Sequence, residues 1–250
     1  DKYLSHVGQW IDSIAEVDVF VSFATYSFNN PSNVKAEIMP NGSEIIIDAQ
    51  GVYHPFLSKS KAVANDFKIT RKSISIVTGA NMAGKSTMLR TVGLTYIIAN
   101  NGMPVCATSF KCSVVSLFSS MRTTDNISKD ISYFNAELIR LKKLINYVKN
   151  NAHTLIILDE ILKGTNSKDK LKGSVMFLNE ISKHSVSAII ATHDLELSKL
   201  EDERPDIYKN YCFEIELAQE INYSYKIQRG VARNLNASYL LEGIIKEMQQ

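Results

Sequence analysis

The amino-acid sequence predicts an α/β fold with a mostly parallel central sheet flanked by helices. Residues 154–158 and 186–191 are apolar and β-branched without polar alternation, the pattern of strands covered on both faces. Stretches of helical periodicity between such strands are long enough to serve as crossovers. Late in the chain, strands at 211–217 and 223–228 are joined by a connector, 218–222, too short for a crossover, so this pair is antiparallel.

Apolar residues at Tyr3, Val7, Trp10, Ile14, Val17, Val21, Ala24 and Phe28 recur at intervals of three and four, so the chain opens on a long amphipathic helix. Asn29-Asn30-Pro31 ends it, because proline lacks the N–H donor and pushes its predecessor out of helical geometry. Pro40-Asn41-Gly42 is a turn, and a domain boundary is expected there, dividing 1–40 from 41–250. Strand 44–48 follows. Beyond it come strand 73–78, helix 85–100, strand 114–120, helix 131–150, strand 154–158, helix 172–184, strand 186–191, the antiparallel pair and a final helix 237–248. Such alternation builds a layered α/β architecture.

Composition narrows the function. Lys+Arg 28 against Asp+Glu 26 leaves a net charge of +2, so bulk charge does not drive binding to nucleic acid or membrane surfaces. With 45% hydrophobic and 22% charged residues, the 250-residue chain has the composition of a folded globular protein. No segment reaches the length of apolar residues needed to span a bilayer. Cys106, Cys112 and Cys212 are odd in number and lie in apolar or strand-like surroundings, which points to reduced core thiols and a cytosolic setting. Residue 1 is Asp, and a fragment or processed product is expected.

Gly79-Ala80-Asn81-Met82-Ala83-Gly84-Lys85-Ser86 fits G-x-x-x-x-G-K-[ST] between an apolar strand and a helix. A chance match in a chain of this composition has odds of about one in two hundred. Its glycines let backbone N–H groups turn inward around phosphate oxygens, where a Cβ would obstruct the turn. Lys85 is expected to reach the β and γ phosphates of ATP, and Ser86 to ligate Mg²⁺. Strand 154–158 ends in Asp159-Glu160, placing Asp159 to support the metal and Glu160 to polarise an attacking water. His193 follows the next buried strand, and successive strands of a parallel sheet end on the same edge, so it faces the same crevice and the γ phosphate.

Together these residues resemble the MutS family of DNA mismatch-repair ATPases, a branch of the ABC-type ATPases. The stretch from Thr78 through Lys85-Ser86-Thr87 is similar to the family's TGPNMGGKST, and Asp159-Glu160-Ile161-Leu162-Lys163-Gly164-Thr165-Asn166-Ser167 to its DEIGRGTST. Ala191-Thr192-His193 with Glu196-Leu197 is similar to ATH-x-x-EL, and Tyr53-His54-Pro55 to RHP. Ala15-Glu16-Val17-Asp18-Val19 resembles the helix joining the family's lever to its ATPase domain, and Gly230-Val231-Ala232 with Asn236-Ala237 its C-terminal segment.

The resemblance implies a P-loop NTPase fold of the ABC type over 41–250, with 1–40 as the end of the lever region. It implies ATP and Mg²⁺ as ligands, Asn81, Met82, Ala83 and Thr87 as further phosphate-loop contacts, and Val63 in the region that packs on adenine, without an aromatic ring there. It implies a nucleotide-dependent homodimer in which residues 128–137 complete the partner's site, Ser132 pointing at its γ phosphate; DNA is then held mainly by parts beyond this segment, with no membrane contact. Residues 128–137 also read as a plain capped helix with Phe134, Leu138, Leu141, Ile145 and Val148 as its stripe. Asp130 and Leu162 replace family glycines, and Lys163 an arginine, the marks of a divergent branch. Arg140, Lys142, Lys143 and Lys149 read as a solvated face. Two other readings stand beside this one: another ABC-type ATPase from chromosome maintenance or a transporter, and a hydrolysis-impaired dimerisation module gated by nucleotide.

Overall fold

The computed structural model describes residue 3 and residues 6–121, 133–162, 166–217 and 221–233. Helix α1 (Val7–Asn29) leads into strands β1 (Glu37–Met39), β2 (Ile45–Val52), β3 (Asn65–Thr70) and β4 (Ile74–Gly79). Helix α2 (Lys85–Asn100) precedes β5 (Ser109–Ser113) and β6 (Ser116–Ser120), then α3 (Tyr133–Asn150), β7 (Thr154–Asp159), α4 (Ser167–Ile181) and β8 (Val186–Ala191). A 3₁₀ turn and the short α5 (Leu200–Glu203) lead to β9 (Tyr208–Leu217) and β10 (Ile221–Arg229). The fold is α/β with two mixed sheets.

The larger sheet has six strands in the order β10-β9-β4-β8-β7-β6, parallel throughout except for the antiparallel β9/β10 edge. Its central strands alternate sides as any strand does, but both sides are covered. Leu155, Ile157, Ile189 and Phe213 face one core with Leu89, Val92 and Tyr96 of α2. Ile156, Leu158, Ala188 and Ile190 face a second core with Leu144 of α3 and Phe177, Leu178 and Ile181 of α4. That is why the sequence shows unbroken apolar runs there.

The smaller sheet, in the order β1-β5-β2-β3, corrects the sequence expectation, which contained only part of β2. Strand β3 buries Asn65, Phe67 and Ile69 on alternate positions and covers the first core from the side opposite the larger sheet. The expected strand 114–120 is present as β6, two residues shorter, but β5 just before it is an addition to the sequence expectation. The chain changes sheets between β5 and β6, and the corner is pinned by Tyr96, whose hydroxyl donates toward the carbonyls of Ser113 and Val115 and accepts from the Val115 N–H at 2.8 Å.

Helix α4 starts five residues earlier than expected because Asn166 caps it, accepting from Asp169 N–H. On α3 the buried stripe runs through Leu141, Leu144 and Val148, with Ile145 at its margin and Leu138 exposed. The expected final helix at 237–248 lies outside the described residues.

Helix α1 buries no residue; Trp10, Ile14, Val17 and Phe20 are all exposed. It is tied down by its last turn, where Asn33 Nδ2 donates to the Tyr26 hydroxyl and Asn30 Nδ2 to the Tyr26 carbonyl. Among the described residues no helix is long and apolar enough to cross a membrane. The three cysteines are free and buried.

At the opposite end of the larger sheet from the strand termini, His153 is buried between Ser185 Oγ at 2.7 Å and Ser187 Oγ at 3.1 Å. Burial, reinforced by Arg71 and Lys72, pulls its imidazole from 6.5 down to about 4. The folded state therefore keeps His153 neutral in a window where the unfolded chain binds a proton, and stability is lost as pH falls from about 6.5 to about 4. The expected loss is on the order of 3 kcal/mol. Denaturant unfolding at pH 7 and pH 4.5 should show a drop that a His153→Gln variant flattens; an equal drop in both would show that other groups govern acid stability.

Candidate functional site

Strand order decides which side chains meet. β8 lies between β4 and β7, so Val77, Ala191 and Asp159 stand in line across three strands at their carboxyl ends. The loop after β4, the acidic pair ending β7 and the histidine after β8 therefore share one edge.

The loop itself depends on two glycines. Gly79 has φ +149, and a Cβ there would lie 2.9 Å from the Phe213 carbonyl oxygen. Gly84 has φ +112, and its missing Cβ leaves room for Tyr225 and Phe213. Within this loop Lys85 is 5% exposed and donates to the carbonyls of Gly79 and Ala80, both at 2.7 Å. Burial pulls its ammonium from 10.5 down to about 8, against the opposing pull of Glu160 and Asp159.

Lys85 Nζ also lies 3.4 Å from His193 Nδ1, and His193 Nε2 lies 3.1 Å from Glu160 Oε1. An ammonium can only donate, so this chain of contacts requires Nδ1 to accept and the Nε2–H to donate to the carboxylate. Glu160 occupies a left-handed conformation, φ +65, and its N–H is fixed by the Ala191 carbonyl at 2.9 Å. Its other carboxylate oxygen, Oε2, lies 3.7 Å from Lys170 Nζ on α4.

These groups surround a polar cavity of about 320 Å³. Asn81, Met82, Gly84, Lys85, Ser86 and Thr87 line one side, and Asp159, Glu160 and His193 the other. Gly79 supports the loop from behind, and Ala83 turns its methyl into the core. Ser132 lies outside the described residues.

A second cavity, of about 270 Å³ and mostly apolar, adjoins the first across Gly84, Thr87 and Tyr225. Val63 lines it beside His54, Leu57 and Tyr225, so the aromatic surface missing at 63 is supplied from elsewhere in the chain. Asn65 holds this wall together: its Nδ2 donates to the Tyr225 carbonyl and its Oδ1 accepts from Ile227 N–H. Sequence reasoning placed Asn65 only within the segment 63–66 of the adenine region and assigned nothing to Leu57 or Tyr225. No sequence pattern marks Tyr225; its place, with φ +52 at the irregularity of β10, emerges only in the fold.

Among the described residues no cluster of three or more His, Cys, Asp or Glu could hold a metal alone. Ser86 and Asp159 border the polar cavity as two oxygen donors, which suits a hard divalent cation that takes its remaining ligands from phosphate and water.

Comparison with known proteins agrees with this picture. The family profile described as MutS domain V matches residues 75–242. The DNA mismatch repair protein MutS of Aquifex pyrophilus is 33% identical over 238 residues, 93% of this chain and 27% of that protein. MutS of Finegoldia magna is 32% identical over 235 residues, 91% of this chain and 27% of that protein. The mouse MutS protein homolog 4 is 30% identical over 240 residues, 90% of this chain and 24% of that protein. The chain thus spans about a quarter of the length of these relatives, and it belongs to the MutS family, carrying the family's domain V.

Proposed function

We propose that this segment is the Mg²⁺-dependent ATP-binding and ATP-hydrolysing part of a MutS-like DNA mismatch-repair or DNA-maintenance protein, with an ABC-type P-loop fold over 41–250. The observation that carries the reading is the contact chain Lys85–His193–Glu160, which joins the phosphate loop to the carboxylate at the end of β7. The two adjoining cavities match a nucleotide in size order and polarity: a polar one for the triphosphate, an apolar one for the base.

In this reading Asn81, Met82, Gly84 and Thr87 cradle the phosphates, while Lys85 leaves its two carbonyl partners to meet the β and γ oxygens. Ser86 and Asp159 would hold Mg²⁺, which when bound offsets phosphate charge. Glu160 accepts a proton from the attacking water as it approaches the γ phosphorus, and His193, its Nε2–H held by Glu160 and its Nδ1 facing Lys85, stands between the two beside the γ phosphate. Hydrolysis would drive rearrangement of an ATP-dependent homodimer, with Ser132 completing the partner's site. Residues 1–40, joined to the rest at Tyr26, by the Val34–Val105 bridge and by the pairing of β1 with β5, would pass motion to the lever, and DNA would be held mainly by parts outside this segment. The setting is cytosolic. Of the two departures behind the hydrolysis-impaired module, Asp130 lies outside the described residues, while Leu162 packs over Gly173 beside a Glu160 that meets His193 at 3.1 Å, which favours the enzyme.

Glu160→Gln tests the reading. ATP affinity should stay within about threefold while phosphate release falls by at least about a hundredfold; unchanged turnover sinks the assignment. A second expectation concerns protons. Lys85 loses its proton near pH 8 in the nucleotide-free protein, and phosphate oxygens raise it again, so ATP binding takes up a proton above about pH 8 and weakens as pH rises further. Calorimetry at pH 8.5 in buffers of different ionisation heat should register that uptake, and at pH 6.5 it should vanish; equal uptake at both pH values would assign it to another group.

A further inference from the structure

Resting on the reading of Glu160 as the base, we propose that Lys170 of α4 is a positioning residue for its carboxylate, acting together with the packing of Leu162 on Gly173. Lys170 and Gly173 are three residues apart on one helix, hence on one face. That face meets the turn 160–162 at two points. Lys170 Nζ lies 3.7 Å from Glu160 Oε2, with both side chains mostly shielded, 21% and 17% exposed. One turn on, Leu162 Cδ1 sits 2.4 Å from where a Cβ on residue 173 would be, so Leu162 fills the notch that glycine leaves.

The two oxygens of Glu160 thus meet different partners. Oε1 meets His193 at 3.1 Å, within hydrogen-bond range. The Lys170 distance, 3.7 Å, is that of an ion pair longer than a hydrogen bond, so Lys170 draws the carboxylate by charge. A base needs a carboxylate held in a fixed direction toward its water. The backbone alone does not supply it, because the glutamate side chain still turns about its own bonds after its N–H is pinned. Leu162 stops the turn from rocking, and Lys170 stops the carboxylate from swinging about the His193 contact.

The test compares Lys170→Met, Lys170→Arg and Glu160→Gln at protein concentrations that saturate self-association. Lys170→Met should lower kcat at least about fivefold with the ATP dissociation constant and Tm unchanged, and Lys170→Arg should restore kcat to within about twofold. Should Lys170→Met fail to fold, Lys170→Gln takes its place under the same criteria. Glu160→Gln inactive with Lys170→Met at wild-type kcat overturns this inference alone. A fall in kcat matched by weaker ATP binding or by lower Tm, unrescued by arginine, marks a structural strut and overturns it as well. A wild-type chain without turnover, or an active Glu160→Gln, removes the functional reading and this inference with it.

Discussion

An ammonium group taken out of water has to be solvated by the protein around it, and in this chain that demand organises the carboxyl edge of the larger sheet. Lys85 is buried, and two carbonyls, a histidine nitrogen and two nearby carboxylates stand in for its lost water. The carbonyls come from Gly79 and Ala80, so the loop must double back on its own helix, which requires glycine geometry at 79 and 84. The histidine and carboxylates come from β8 and β7, so those strands must follow β4 in that spatial order. Full compensation is not reached: the ammonium still sits well below its ordinary range. The site is therefore held ready for additional negative charge, which in the proposed reading a triphosphate brings.

The smaller sheet makes the second half of the site possible. Its strands cover one side of the first core, and the segment leaving β2 carries His54 and Leu57 to the wall of the apolar cavity. Asn65, at the start of β3, reaches across to β10 and fixes Tyr225 over the same space. An apolar cavity next to the loop after β4 thus arises where two sheets meet, not within either one. The neighbour of His54, Tyr53, donates its N–H to the Cys106 carbonyl, and Cys106 Sγ lies 3.9 Å from the Tyr26 hydroxyl at the root of α1. The cavity wall and the root of that helix are thus linked through Cys106.

What could be read from the sequence follows from how local each signal is. Phosphate loop, Asp159-Glu160 and His193 each declare themselves in a few contiguous residues, and the parallel-strand rule then brings them together, as the distances of 3.4 and 3.1 Å bear out for Lys85, His193 and Glu160. The smaller sheet was harder to see. β5 alternates serine, phenylalanine, lysine and cysteine over five residues, and its partners β1 and β2 lie some sixty to seventy residues away. The switch of sheets after Ser113 hangs on the hydroxyl of Tyr96, a contact no periodicity encodes. The apolar side chains of α1 read clearly as a helix face, yet the pattern does not say what covers them, and within the described residues nothing does. The apolar cavity draws on residues from 52 to 225, so only folding assembles it.

The turn after β7 shows how a strained conformation persists next to the chemistry. Glu160 and Leu162 both have positive φ, a geometry that costs each non-glycine residue about 1–2 kcal/mol, or about 2–4 kcal/mol together. Between and beside them Ile161 is 2% exposed and Leu162 6% exposed, and burying two such side chains stabilises by about 3–6 kcal/mol. Packing is thus large enough to hold the strain, and the hydrogen bond from Glu160 N–H to Ala191 fixes where the turn begins. Gly173 is what lets Leu162 pack so deeply, since a methyl there would meet Leu162 Cδ1. A leucine in the left-handed region would be a liability on an open loop. Over a glycine notch it anchors the turn instead, and the departure from the family glycine at 162 becomes a local repacking that leaves the carboxylate beside His193 in place.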